Sequence, residues 1–265
     1  MASLRILPPA GKYFKKLKEI NKTYIWQGAV LGFLVIVAYF FQTFGLADKG
    51  TTPGKNAFLT AGYCIIVPFV YWIASNKRPD RYNISAAVLF LIGVTLISCK
   101  GGDFTGICLG DGLTLMGGVF FALHIVAVAI FSKDKDILLL TMLQFIFAGI
   151  ISLIPALIYD SMPANLPSGA ITTILYLTVF ATCLCYVLQN AGQKYTHPSS
   201  ASLILCFEAV FGVIFSVIFT EETVSLRMFT GFAVIFISII ISETKLEFLK
   251  KSSRVNHKNQ KGMPQ

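Results

Sequence analysis

Eight long apolar runs, separated by short polar stretches, dictate what this chain can fold into. They cover about Tyr24–Leu46, Lys55–Ala74, Ile84–Cys99, Asp111–Phe131, Ile137–Tyr159, Ala170–Asn190, Ser199–Thr220 and Leu226–Ser242. A helix rises about 1.5 Å per residue, so roughly 20 apolar residues cross the ~30 Å hydrocarbon core of a bilayer. Lipid offers the backbone no hydrogen-bond partners, so runs of this kind must become helices. The expected fold class is all-α and polytopic, with eight transmembrane helices, the third of them short. Charged residues make up 13% of the chain, about half the share of a soluble domain.

The separators "ADKGTTPG", "SNKRPDRYN", "KGGDFTGICLGD", "SKDKD", "DSMPANLPSG", "AGQKYTHP" and "EETVS" are turn-forming or charged clusters. Pro68 and Pro155 fall inside the second and fifth runs and are expected to kink those helices.

A net charge of +9 does not point to nucleic acid here, because the basic residues sit in short loops and at the two ends. With the N-terminus inside, the inner segments hold 18 lysines and arginines and the outer ones hold 4. That asymmetry predicts a multi-pass membrane protein with eight spans and both termini cytoplasmic. The first 24 residues lack the apolar stretch of a secretory signal, so no cleaved leader is expected. The six cysteines form no CxxC or Cys/His cluster, which leaves them as small apolar packers. No metal or cofactor is expected.

An internal repeat emerges on comparing the two halves. Tyr39, Gln42 and Gly45 in "AYFFQTFG" match Tyr186, Gln189 and Gly192 in "CYVLQNAG" at an offset of 147. At an offset of 145 the second and third runs match the seventh and eighth in hydropathy and length. The first run enters the membrane from inside and the sixth from outside, so the copies are inverted. The expected organisation is a basic N-terminal segment (1–23), a three-helix first repeat (24–99), a five-helix second repeat (100–243) and a basic tail (244–265). Inverted repeats are a common architecture of secondary transporters, with solute held where the halves meet.

The segments "GDGLTLMGGVFFALHIVAVAIFSK", "SASLILCFEAVFGVIFSVIFTEE" and "GFAVIFISIIISE" resemble the second half of an EamA-type transporter of the drug/metabolite transporter superfamily. "GFLVIVAYFFQTFGLADKGTTPGKNAFLT" resembles the third and fourth helices of that family's first half. The resemblance implies ten helices in two inverted halves, moving small metabolites, often amino acids or related compounds, across the inner membrane. Set against that pattern, the chain lacks the first two helices, and Ala209 stands where the family often has a proline. Two readings stay open: a secondary transporter working by alternating access, or a non-transporting or truncated membrane subunit that needs a partner or the missing helices.

Glu208 is the first candidate site residue. A carboxyl near the middle of a membrane helix costs roughly 2.5–3.5 kcal/mol on insertion scales, so a chain that keeps one uses it or pairs it. It either faces a cavity and takes up a proton or a substrate amine, or hydrogen-bonds a neighbouring helix and ties the bundle together. Residue counting puts His124 within about 5 Å of Glu208 in membrane depth. The two would then relay protons, or His124 would donate to a backbone carbonyl. Tyr63 aligns with Glu208 in the repeat and is a candidate to add a hydroxyl to the same cavity, with core packing as the alternative. Tyr39 with Gln42 and Tyr186 with Gln189 are spaced by three, so each pair shares a helix face. They are candidate outer and inner gates, with interfacial anchoring as the alternative. Gly28 and Gly32 form GxxxG, and Gly112 and Gly117 approach it loosely, a pattern that lets membrane helices pack closely.

No GxxxxGK[ST] is present, so ATP is not the expected energy source, and no HExxH or Ser/His/Asp set suggests an enzyme. The expected partners are a small-molecule substrate and the lipid bilayer. A homodimer is left open and nucleic acid is not expected.

Overall fold

The computed structural model describes residues 17–76, 78–98, 108–159, 167–220 and 224–244. Most of the basic N-terminal segment, Lys77, Cys99, Lys100 and the tail beyond Thr244 lie outside the described residues. Among the described residues every regular element is helical. A 3₁₀ turn at Leu17–Glu19 precedes α1 (Lys22–Ala47), α2 (Pro53–Thr60), α3 (Tyr63–Ser75), α4 (Arg81–Ser98) and α5 (Leu109–Phe131). Then come α6 (Ile137–Tyr159), α7 (Ser168–Tyr176), a π-helical stretch (Leu177–Leu184), α8 (Cys185–Lys194), α9 (Pro198–Leu205), α10 (Phe207–Thr220) and α11 (Leu226–Thr244). Each of the eight apolar runs is thus helical. Among the described residues six stretches are long and apolar enough to span a bilayer, and Arg81–Ile97 and Leu226–Ser242 are shorter apolar helices. The protein is a polytopic all-α membrane protein.

Helix starts follow ordinary capping chemistry. Asn21 Oδ1 accepts from the backbone N–H of Thr23 and Tyr24 at 3.0 and 3.1 Å, satisfying donors that have no partner within α1. Asp80 Oδ1 does the same for Tyr82 and Asn83 at the start of α4, while Asn83 Oδ1 accepts from Asp80 N, a reciprocal box. Asp136 caps α6 through the N–H of Leu138 at 3.0 Å. Asn76 ends α3 with φ 56°, the left-handed conformation in which an asparagine stops a helix.

The second and seventh runs are each broken in two. The second breaks at Ala61–Gly62, not at Pro68, and α3 continues through that proline. Gly62 N, Cys64 N and Ile65 N bond three residues back, to Leu59, Ala61 and Gly62, so the chain tightens into a 3₁₀ turn. Gly62 is needed there, because a Cβ would lie 2.5 Å from Phe90 Cζ. The seventh run breaks at Cys206, where Ala209 N bonds to Cys206 O at 3.0 Å. Pro155 likewise lies inside the continuous α6.

The chain divides into two compact units. One contains residues 17–37 and 127–196, the other residues 38–126 and 197–244.

In the second unit two segments 145 positions apart have a similar build. Thr52 caps α2 with Pro53 at its first turn, and His197 caps α9 with Pro198 at its first turn, 145 positions later. Both first arms are 8 residues long, and the second arms are 13 and 14 residues. α2 packs on α10, α3 on α9 and α4 on α11. Each broken helix therefore lays its first arm on the other's second arm, and the two run antiparallel. α4 and α11 are antiparallel as well: Gly93 meets Ile235, Gly231 meets Ile97, and Asn83 Nδ2 donates to Ser242 Oγ at 3.0 Å. The core gathers Phe58, Cys64, Val67, Phe90, Ile125, Phe232, Ile235 and Ile239, with Phe58 and Phe232 stacked at 4.5 Å. Gly117 lies on the backbone of Ala38 and Gln42, while a Cβ added to Gly112 would meet nothing within 4 Å.

In the first unit, the start of α1 packs on α6 around Tyr24, Leu31, Val128, Leu139, Leu140 and Leu143. A Cβ on Gly28 would lie 2.4 Å from Leu143 Cβ, and one on Gly32 would lie 2.6 Å from Gln144 O and 2.9 Å from Ala148 N. Backbone cannot move aside as a flexible side chain does. Gly32→Ala is expected to cost about 1–3 kcal/mol by overpacking, read as a lower thermal midpoint of the purified protein in detergent. A midpoint equal to wild type would show that the contact is looser than drawn. The Gly169–Lys194 span is only 6% buried, against 22–56% for the other five long spans. Its π-helical stretch is marked by Thr182 Oγ1 donating five residues back to Leu177 O at 3.0 Å.

Candidate functional site

The crossing of the two broken helices encloses a cavity of about 110 Å³. Its polar lining is Gln42 from α1, Asn56 and Thr60 from α2, Tyr63 from α3 and Glu208 from α10. Ala57, Ala61, Ala209 and Gly212 complete the wall, and the small residues permit the crossing. A Cβ on Gly212 would already lie 2.8 Å from Ala57 Cβ.

The local chain path explains each placement. Tyr63 is the first residue of α3 and Glu208 the second of α10, so both follow directly on a break. Their 145-residue separation makes them counterparts in the repeat. Glu208 sits in the first turn of its half-helix, where the macrodipole favours a negative charge. At the crossing the Cys64 thiol donates to Ser202 O at 2.9 Å, joining one broken helix to the other.

The amides and hydroxyls are held in a network. Gln42 Nε2 donates to Thr60 Oγ1 at 3.2 Å. Asn56 Nδ2 donates to Gln42 O at 3.2 Å and to Thr114 Oγ1 at 2.8 Å. Thr114 Oγ1 in turn donates to Gly110 O at 2.7 Å. Asn56, Thr60 and Tyr63 are buried, whereas Glu208 is exposed into the cavity. Among the described residues Glu208 makes no hydrogen bond or ion pair, so its carboxylate remains available to a solute or a proton. Among the described residues no lysine or arginine lines the cavity, and Glu208 is its only carboxyl.

One residue before Asn56, Lys55 is taken out of play. Its Nζ pairs with Asp111 Oδ2 at 2.7 Å, and the two side chains are 6% and 2% exposed. Thr51 Oγ1 donates to Asp111 Oδ1 at 3.3 Å, and Gly110 N donates to Asp48 Oδ2 at 3.1 Å. The start of α5 is thereby fastened to the turn between α1 and α2.

Of the residues singled out from sequence, Glu208, Tyr63 and Gln42 come together in the cavity. His124 is buried on α5 and does not line it. Tyr39, paired with Gln42 as a candidate gate, sets its ring edge-on to Phe121 at 5.4 Å, and Phe121 also meets Tyr63. In the other unit Tyr186 is buried edge-on to Phe145 at 5.7 Å, and Gln189 is half-buried. Sequence reading missed Asn56, Thr60, Thr114 and the Lys55–Asp111 pair. The first two carried a usable signal, since polar residues four apart share one helix face.

Comparison with known proteins agrees with this architecture. Residues 108–244 match the EamA-like transporter family. An uncharacterized transporter from Archaeoglobus fulgidus is 28% identical over 81% of this chain and 67% of its own length. An uncharacterized transporter from Synechocystis is 22% identical over 91% of this chain and 74% of its own length. A solved crystal structure shares the fold with a TM-score of 0.62 at 13% identity, covering 89% of this chain and 83% of that one. The family match covers more than half of the chain, and the protein belongs to the EamA-like transporter family of polytopic membrane transporters.

Proposed function

We propose that the chain is a secondary transporter of small polar metabolites, amino-acid-like or otherwise bearing an amine, working by alternating access. The observation that carries this reading is the unpaired Glu208 facing a polar cavity at the crossing of two repeat-related broken helices. Interrupted helices at such a crossing are where secondary transporters hold solute and coupling ion. An apolar protein cavity of about 150 Å³ admits benzene, so one of about 110 Å³ suits solutes of that size or smaller. A carboxylate with no basic neighbour in the lining favours a cationic head group or a proton. The hydroxyl of Tyr63 and the amides of Gln42 and Asn56 supply hydrogen bonds for the rest of the solute. The partition of lysine and arginine supports both termini being cytoplasmic, and the resemblance to EamA-type transporters supports the inner membrane.

The test is uptake and efflux of a panel of amines and amino acids in vesicles holding this chain as the sole protein, with Glu208→Gln as the control. Flux of one panel class that Glu208→Gln abolishes supports the reading. The slight burial of Gly169–Lys194 favours a second reading, a subunit that functions only with a partner. Silence of the whole panel with well-folded protein would turn the assignment to that alternative.

A further inference from the structure

The unit formed by residues 17–37 and 127–196 contains a polar cluster separate from the Glu208 cavity. Asn190 Nδ2 on α8 donates to Thr141 Oγ1 at 3.0 Å and to Gln144 Oε1 at 3.2 Å, both on α6. Thr141, Gln144 and Asn190 are 1%, 0% and 0% exposed, and Gln193, one turn after Asn190 on the same face, is 3% exposed. Among the described residues Gln144 Nε2, Asn190 Oδ1 and both polar atoms of Gln193 have no partner. An unpartnered buried polar atom forfeits its full hydration, and native proteins almost always fill such places with ordered water or a ligand. A chain that needed only packing here would carry leucine.

The chemistry of the unmet atoms narrows the occupant. Two amide nitrogens remain to donate and two amide oxygens remain to accept, and none of the four side chains is charged. A neutral group that both donates and accepts satisfies all of them: water, a hydroxyl or a carboxamide. The cluster is also close to an aqueous end. Gln144 lies about 10 Å along α6 from its first residue, and Gln193 immediately precedes Lys194. Lys194 Nζ donates to Lys135 O at 2.6 Å, and Lys135 Nζ sits 4.5 Å from the centre of the Tyr24 ring. We infer that Thr141, Gln144, Asn190 and Gln193 form a hydrated second subsite for neutral hydrogen-bonding groups. It rests on the transport reading only for its use by solute, not for its hydration.

Two measurements test it in the full chain. In a background with the six native cysteines replaced, Gln193→Cys is exposed to a charged methanethiosulfonate, which reacts only where water reaches the thiol. The control is Leu153→Cys, on an exposed apolar face of α6. Labelling at Gln193→Cys is expected to be on the order of a hundredfold faster than the control, reflecting the penalty for a charge in hydrocarbon. Separately, Gln193→Leu is expected to lower the thermal midpoint of otherwise native protein by about 2–4 °C, because a filled site loses its bonds. Labelling no faster than the control, or a midpoint raised by Gln193→Leu as for a dry defect, would overturn the inference. A polyol or carboxamide that slows the labelling identifies solute as the occupant, and labelling unchanged by either identifies water. Neither readout requires flux, so failure here leaves the Glu208 assignment standing, and silent vesicles leave this one standing.

Discussion

Glu208→Gln is expected to lower saturated flux by at least about a hundredfold while the protein still inserts and stays monodisperse. The substitution keeps the shape of the side chain and removes only its charge and its capacity to hold a proton. Glu208 carries no hydrogen bond or ion pair among the described residues, so no structural contact is lost with the charge. An attraction between unit charges at 4 Å is worth about 4 kcal/mol at an effective dielectric constant of 20. Roughly 2.7 kcal/mol corresponds to a hundredfold effect. Glu208→Asp, which withdraws the carboxylate by one methylene, should fall between wild type and Gln. Matching fluxes for Gln and wild type would remove Glu208 from the mechanism.

The second large effect concerns stability. Lys55→Met is expected to destabilise the fold by about 3–5 kcal/mol, the usual result of stranding one member of a buried ion pair. Among the described residues Asp111 would keep Thr51 Oγ1 and the N–H of Cys108 as donors, at 3.3 and 3.4 Å. At about 2–4 °C per kcal/mol for a chain of this size, the midpoint should fall by roughly 10 °C. The double replacement Lys55→Met with Asp111→Leu should recover most of that loss, because an apolar pair of similar volume commonly replaces a buried ion pair at little cost. A thermal series on the single and double variants decides the matter. Equal midpoints for Lys55→Met and wild type would mean that the pair contributes nothing.

These two charged sites differed in how legible they were from sequence. Glu208 stood out because a lone acid in an apolar run is costly, and the repeat alignment pointed from it to Tyr63. The helices were legible for the same reason, since lipid leaves an apolar run one way to satisfy its backbone. Lys55 looked like a loop lysine useful for orientation. Its pairing with Asp111 depends on how α2 meets α5, a contact between residues 56 positions apart. The breaks at Ala61–Gly62 and Cys206 were not foreseen, and neither falls at Pro68 or Pro155. Cys206 has neither glycine nor proline beside it. That interruption is set by the crossing helix, whose Cys64 thiol reaches the Ser202 carbonyl. His124 shows the limit of counting residues: rise along an axis gives depth but not azimuth. Asn190 ends the sixth run and Gln193 falls in the separator after it, so neither stood out; the setting of Asn190 depends on Thr141 and Gln144 of α6.

The matched arms of the two broken helices have a mechanical corollary. Each lever has an 8-residue short arm and a long arm of 13 or 14 residues, and each rests on the other's opposite arm. Under the proposed alternating access, tilting one lever would oblige its twin to tilt the other way. Exchanging the two postures would return the pair's original outline turned upside down. A duplicated ancestor would in this way inherit both end states from one set of contacts, with no need to evolve the second separately.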